Sequence, residues 1–298
     1  MRRTIFFRGG TMSKRNLGWL VAVLAVAFAT AQETSKLTFK FQTLSVKGSS
    51  ETDIYGINNS GAVVGSYVDS SGAVHGLMLA GGKAKNIDDP NTTTGTFCYG
   101  INSGGAIVGY YLNSSGAPQG FLYKGGKFTD VGPTGNGSYA LGINKKGNIT
   151  GFYLDTSGIE HGFVWNGKKY TTLDVPTATA SGAWGVNDTG LISMFWINSS
   201  GAYEGALYNG KKYTTINVPG ATQTIPHSLN NAGDVTFEWV DSGGNYHGAL
   251  RTGGKYYKFN DPKGPNNTRP GGVNDNHVIA GRFEATGKTT YLGFKATY

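Results

Sequence analysis

Apolar and polar residues alternate along this chain in short runs of period two, and turn residues interrupt the runs at regular intervals. Such alternation sends successive side chains to opposite sides of a strand, so the pattern predicts β-strands with one face buried. The runs come in sets. Each set opens with a short segment ending in Gly-Ile-Asn or a variant: Tyr55–Asn58, Tyr99–Asn102, Leu141–Asn144, Trp184–Asn187, His227–Asn230 and Gly271–Asn274. A turn follows that closes on Gly61, Gly105, Gly147, Gly190 or Gly233, and on His277 in the last set. Glycine there predicts a backbone position with positive φ, which histidine also tolerates. The second run places an aliphatic residue four positions before an aromatic one, as in Val63 and Tyr67 or Ile192 and Trp196. Between them stands Gly65, Gly109, Gly151 or Gly281 in four sets, and Met194 or Phe237 in the other two. The small residue predicts close packing against a neighbouring sheet. A third run begins at His-Gly or a relative and leads through Gly-Gly or Asn-Gly, the strongest short hairpin signal, into a fourth run such as Tyr170–Val175.

By subtraction, the six anchor asparagines, Asn58, Asn102, Asn144, Asn187, Asn230 and Asn274, are spaced by 44, 42, 43, 43 and 44 residues. A period of that length marks a repeat architecture, and four antiparallel strands with a long return make the blade of a β-propeller. The last set stops at Tyr298 before any fourth run, while Phe41–Val46 matches Tyr170–Val175 in pattern. Leu44 and Leu173 each lie 14 residues before their anchors, again by subtraction. The expected fold is therefore all-β, a six-bladed β-propeller of four-stranded blades whose N-terminal strand completes the last blade. Closure of this kind removes the exposed sheet edges of a linear stack.

The Gly-Ile-Asn, Ile-Val-Gly-x-Tyr, Asp-x-x-Gly and His-Gly-Phe elements resemble the HAF-type repeats of bacterial extracellular proteins, named for a His-Ala-Phe motif. The resemblance runs from Leu37 to Tyr298. It is carried by His75-Gly76-Leu77, His161-Gly162-Phe163 and His247-Gly248-Ala249, with Gln119 and Glu204 replacing histidine in two copies and a divergent sixth. It implies secretion and a propeller-like fold and brings no activity or catalytic residues.

Residues 1–31 read as an export signal. Arg2, Arg3, Arg8, Lys14 and Arg15 form a basic start, Leu17–Phe28 is apolar, and Ala29-Thr30-Ala31 has the small residues of a cleavage site. Met12 is an alternative start. The single expected domain is 32–298, and no stable membrane insertion is expected after cleavage. The signal accounts for most of the net charge of +8, because its removal leaves 21 basic against 18 acidic residues, a net +3. With the remaining lysines scattered through Gly-Lys turns, no nucleic-acid partner is implied. Cys98 is the only cysteine, so no internal disulfide is possible, and its repeat equivalents are mostly small apolar residues. A monomer is expected.

The three histidines invite a metal reading. They occupy equivalent places in alternate blades, too far apart for one ion, and Asp69, Asp155 and Asp241 accompany them, whereas Asn113 accompanies Gln119 and Asn198 accompanies Glu204. Partners that change together predict a cross-strand hydrogen bond in each second-to-third-strand hairpin. Neither a metal nor a cofactor is called for: zinc, phosphate-loop and nucleophile-elbow signatures are absent from the sequence, and Asp69-Ser70-Ser71-Gly72 lacks the alternating acids of a calcium loop.

Function is sought where the repeat is miswritten. Just past the second-strand glycine the series runs Ser66, Tyr110, Phe152, Phe195, Glu238, Arg282, and five places before the anchor it runs Asp53, Phe97, Tyr139, Gly182, Ile225, Arg269. His227 takes the place that Tyr55, Tyr99 and Trp184 hold in other copies. One reading makes Glu238, Arg269, Arg282, Asp53 and His227 polar contacts of a ligand site with Tyr55, Tyr99 and Trp184 as apolar platforms. The other makes the charges ion pairs that seal the ring where the chain ends meet. The sequence reading is a secreted propeller that binds an extracellular or envelope ligand, glycan or protein, on its loop face, without chemistry and without catalytic residues. The alternative is a carbohydrate-active hydrolase or lyase, which needs two carboxylates about 5 to 10 Å apart. A third is a scaffold engaging partners through its rim.

Overall fold

The computed structural model describes residues 37–92, 94–133 and 136–298. The expected export signal lies outside them. Among the described residues no helix is long and apolar enough to cross a membrane.

Six four-stranded sheets form the blades, five of them in simple sequence order. Blade one, for example, runs through strands Glu51–Ile57, Val63–Val68, Val74–Ala80 and Lys83–Asn86. Blade six takes its first three strands, Thr268–Val273, Val278–Glu284 and Tyr291–Thr297, from the end of the chain and its fourth, Lys40–Leu44, from the beginning. The closing strand pairs antiparallel with its neighbour from Lys40 opposite Thr297 to Leu44 opposite Gly293. Phe39 and Phe41 fasten it, with ring centroids 4.5 and 6.1 Å from that of Phe259 in blade five. All six sheets are thus complete within 37–298.

The core lies between blades. Ala106 and Val108 of blade two pack with Ala140, Ile149 and Phe163 of blade three, and a similar apolar cluster fills each boundary around the ring. Cys98 is one such core residue, and burial raises its thiol far above the usual range.

The anchor asparagines close the ring. Each Nδ2 donates to the backbone carbonyl of the next anchor: Asn58 to Asn102 at 3.2 Å, then Asn144, Asn187, Asn230 and Asn274, which returns to Asn58 at 3.0 Å. The same side chains use Oδ1 to accept the amide four residues on, as Asn58 does from Ala62 at 3.0 Å, and so build the turn between first and second strands. His277 takes its turn position at φ 59°, where the other copies have glycine.

Within every blade the pairing of first and second strands shifts register just before the anchor. The bulge leaves the residue three before the anchor unpaired and turns it towards the axis. The second-strand glycine of four blades has its own local reason. A Cβ on Gly65 would collide with the carbonyl of Asp53 on its own first strand, so the constraint comes from within the blade and not from the neighbouring sheet expected from sequence.

Candidate functional site

The bulge residues Tyr55, Tyr99, Leu141 and Trp184 line a central channel of about 110 Å³, whose other end is the asparagine girdle. The rings of Tyr55 and Tyr99 stack at 4.2 Å, and Trp184 lies 6.2 Å from Tyr99 and 4.1 Å from His227. These expected platforms are therefore half-buried and packed chiefly on one another. Gly271 contributes no side chain at this level, and the guanidinium of Arg282 lies 4.7 Å over the Tyr55 ring. His227 is buried, and neither ring nitrogen has a hydrogen-bond partner. Burial, reinforced by the charges of Arg282 and Arg269, pushes its imidazole down to about 3 and keeps it neutral.

Beyond the bulge residues, towards the face of the second-to-third turns, the side chains of the first and second strands divide in two. Blades two and three supply aromatic rings, with Phe97 on Tyr110 at 4.8 Å, Tyr110 on Tyr139 at 4.7 Å and Tyr139 on Phe152 at 4.4 Å. Blades five, six and one supply charge. Arg269 pairs with Glu238 at 3.5 Å across the boundary of blades five and six, and Arg282 pairs with Asp53 at 3.3 Å across that of blades six and one. His227 Nε2 lies 3.8 Å from Glu238. Burial raises the Asp53 carboxyl to about 6 even against the pull of Arg282. Glu238, Arg269, Arg282, His227 and Tyr55 thus meet on one side, while Tyr99 and Trp184 belong to the aromatic stack. These ion pairs bridge neighbouring blades on the side of the ring where the chain ends meet, as the sealing reading expects.

Behind Arg269 the cluster reaches an open cavity between blades five and six. Its guanidinium lies 3.7 Å over the Tyr246 ring and 5.8 Å from Tyr291, and its Nε donates to Asn267 Oδ1 at 2.9 Å. Tyr246 and Asn267, with Glu284, Lys288 and the glycine-bearing turns around them, line about 410 Å³. Asn267 Nδ2 donates in turn to Glu284 Oε2 at 2.5 Å and to the Tyr291 hydroxyl at 3.0 Å. Sequence reasoning missed Tyr246, Asn267, Glu284 and Tyr291. A signal was available: Ala285 stands where five blades have Asp or Asn, so the sixth second-to-third turn is built differently.

The rim histidines form a separate device. His75 Nε2 meets Asp69 at 3.3 Å, His161 meets Asp155 at 3.4 Å and His247 meets Asp241 at 2.9 Å, each across the expected hairpin. A second partner follows the fourth strand: Asp88 at 2.9 Å, Asp174 at 3.0 Å and Asn260 at 3.1 Å from Nδ1. Blade four inverts the polarity, with Glu204 accepting from Asn198 at 2.7 Å and from Asn217 at 3.2 Å. Acceptor–donor–acceptor has become donor–acceptor–donor, which is why the residues change together. The hydrogen bonds to Asp88 and Asp174 hold the imidazoles of His75 and His161 above the ordinary value.

Solved six-bladed propellers share this architecture. The chain is similar to an Aleuria aurantia lectin in complex with Fucα1-6GlcNAc, at 14% identity and a TM-score of 0.53, over 85% of this chain and 93% of the lectin. A SapL1 lectin in complex with α-methyl fucoside matches at 12% identity and TM-score 0.56, covering 84% and 94%. AofleA from Arthrobotrys oligospora matches at 11% identity and TM-score 0.56, covering 88% and 87%. No family model and no curated protein sequence matches the chain. At these identities the likeness establishes the propeller fold.

Proposed function

We propose that this protein is an exported, carbohydrate-binding β-propeller that holds a glycan in the cavity between blades five and six, without chemistry of its own. One arrangement carries the reading. Arg269 stands behind Tyr246 and Asn267 and holds both, so an aromatic ring and a set of fixed hydrogen-bonding groups face the same space of about 410 Å³. A sugar presents an apolar C–H face that covers an aromatic ring, and hydroxyls that both donate and accept. Asn267, Glu284 and Lys288 offer both kinds of partner there. The lectin structures, two of them in complex with fucosides, support the reading at the level of the fold. Export is supported by the basic and apolar start of the chain, and by the resemblance to HAF-type extracellular repeats. Against a hydrolase stands the number of carboxylates: glycoside hydrolysis uses a pair, and among the described residues Glu284 is the one carboxylate lining the cavity, while Glu238 and Asp53 are each paired with an arginine outside it.

A glycan array with the 37–298 ring tests this, followed by titration of the best ligand against Tyr246→Ala and Asn267→Ala. Loss of one aromatic face or one fixed amide lowers affinity by about tenfold or more, the effect of some 1 to 3 kcal/mol. Unchanged affinity in both variants moves the site elsewhere, and silence across the array rejects a carbohydrate ligand.

A further inference from the structure

The face opposite that cavity carries the turns between first and second and between third and fourth strands. Each blade sends an exposed lysine to its outer edge: Lys83, Lys127, Lys168, Lys211 and Lys255 from blades one to five, and Lys40 on the closing strand of blade six. In blades two to four a second exposed lysine, Lys124, Lys169 or Lys212, flanks the same turn. Among the described residues no lysine forms an ion pair.

Carboxylates collect at the other end of the strands. Asp69, Asp155 and Asp241 sit in second-to-third turns, and Asp88, Asp174 and Asp261 follow fourth strands. On the lysine face, Asp188 and Asp275 are occupied by Asn231, Asn59 and the amide of Lys145, and Asp234 is buried against Asn230. The modest net charge of the ring therefore conceals two opposed faces. Lysine on an edge strand commonly serves to deter pairing between sheets. That role asks for charge anywhere along the fourth strand, whereas here a lysine stands at the same end of the fourth strand in every blade and is doubled at the turn in blades two to four.

A circle of unpaired cations in one plane matches a flat anionic surface, because all six blades reach it together. A linear polyanion would meet only the part of the circle it crosses. We propose that the lysine face docks on a lipid bilayer with anionic headgroups, so that the cavity between blades five and six faces away from the membrane. The docking is adsorption through charge, and nothing inserts.

The test is sedimentation of the 37–298 ring with phosphatidylcholine vesicles, with and without phosphatidylglycerol. Binding is expected only with phosphatidylglycerol and is expected to weaken as salt is added, because surface charges are screened over about 8 Å at physiological ionic strength. Each lysine near such a surface strengthens binding by about fivefold, so Lys127→Gln, Lys168→Gln and Lys211→Gln together lower partitioning by about a hundredfold. Tyr246→Ala, on the opposite face, leaves it unchanged. A second triple variant, at Lys83, Lys169 and Lys255, guards against a folding defect in the first, with circular dichroism to confirm both. Equal partitioning of folded variants and parent overturns the proposal. So does failure to bind the vesicles while a soluble linear polyanion such as heparin is bound.

Discussion

Burial without a partner and enclosure between carboxylates move the same side chain in opposite directions. His227, held neutral down to about 3 against an ordinary 6.5, leaves the unfolded chain binding the extra proton between those values. Its contribution is intact above 6.5 and is lost as pH falls below it. His75 and His161 are raised, so their contribution is complete below 6.5 and is lost as pH rises through their folded values. Melting temperature followed from about pH 4 to 8 should therefore fall on the alkaline side and also on the acid side, where Asp53, raised to about 6, offsets part of the loss from His227. His227→Tyr, which copies the residue at Tyr55 and Tyr99, should flatten the acid limb and spare the alkaline one. An acid limb of unaltered slope in that variant assigns it to other groups.

At the scale of the element, each anchor asparagine does two jobs with two atoms: Oδ1 shapes its own turn and Nδ2 reaches the next blade. Asn144 accepts from Asn148 at 2.9 Å and donates to Asn187 at 3.0 Å. The two jobs separate by substitution. Asn144→Asp keeps the acceptor, and keeps a hydroxyl donor only while its carboxyl is protonated, whereas Asn144→Ala loses both and leaves a buried carbonyl and an amide unsatisfied. Chemical denaturation should show Asn144→Ala destabilised by about 1 to 3 kcal/mol, with Asn144→Asp close to the parent at a pH where the aspartate is protonated and weaker once ionisation removes the donor. Equal losses in the two variants at that acidic pH would mean that neither bond contributes.

For the whole molecule, blade six is the one that a truncation of the first strand opens. Removing 37–44 strips the outermost strand, exposes the edge of Tyr291–Thr297 and uncovers Phe259 and Phe294, against which Phe39 and Phe41 pack. Size-exclusion chromatography of that truncation should show association through the bare edge, and a sharp monomer peak would contradict the closing role of the strand. The closing strand was legible because a four-strand unit with a missing member predicts where the member must be, and Leu44 kept its distance from its anchor. The rim histidines were legible in half: co-variation exposed Asp155, but Asp174 lies in another part of the repeat and varies with blade. The cavity between blades five and six was hardly legible. Tyr246 and Asn267 meet through a long fourth-to-first loop whose path no periodicity fixes, and Arg269 joins them by stacking, which leaves no mark on spacing. The glycine of the second strand was placed correctly but explained wrongly, since the close approach of a first-strand carbonyl within the blade is invisible in a pattern that counts residues.

The asparagine links all point the same way around the ring, each blade addressing only its successor. An order defined by neighbours alone has no first member. The bond from Asn274 back to Asn58 spans 216 residues of sequence and yet is the same bond, at 3.0 Å, as the one from Asn144 to Asn187. The place where translation starts is therefore an accident of the gene and not a landmark of the shape. The blade stitched from both ends is an ordinary blade, and a chain opened at another of the long loops would inherit the same circle.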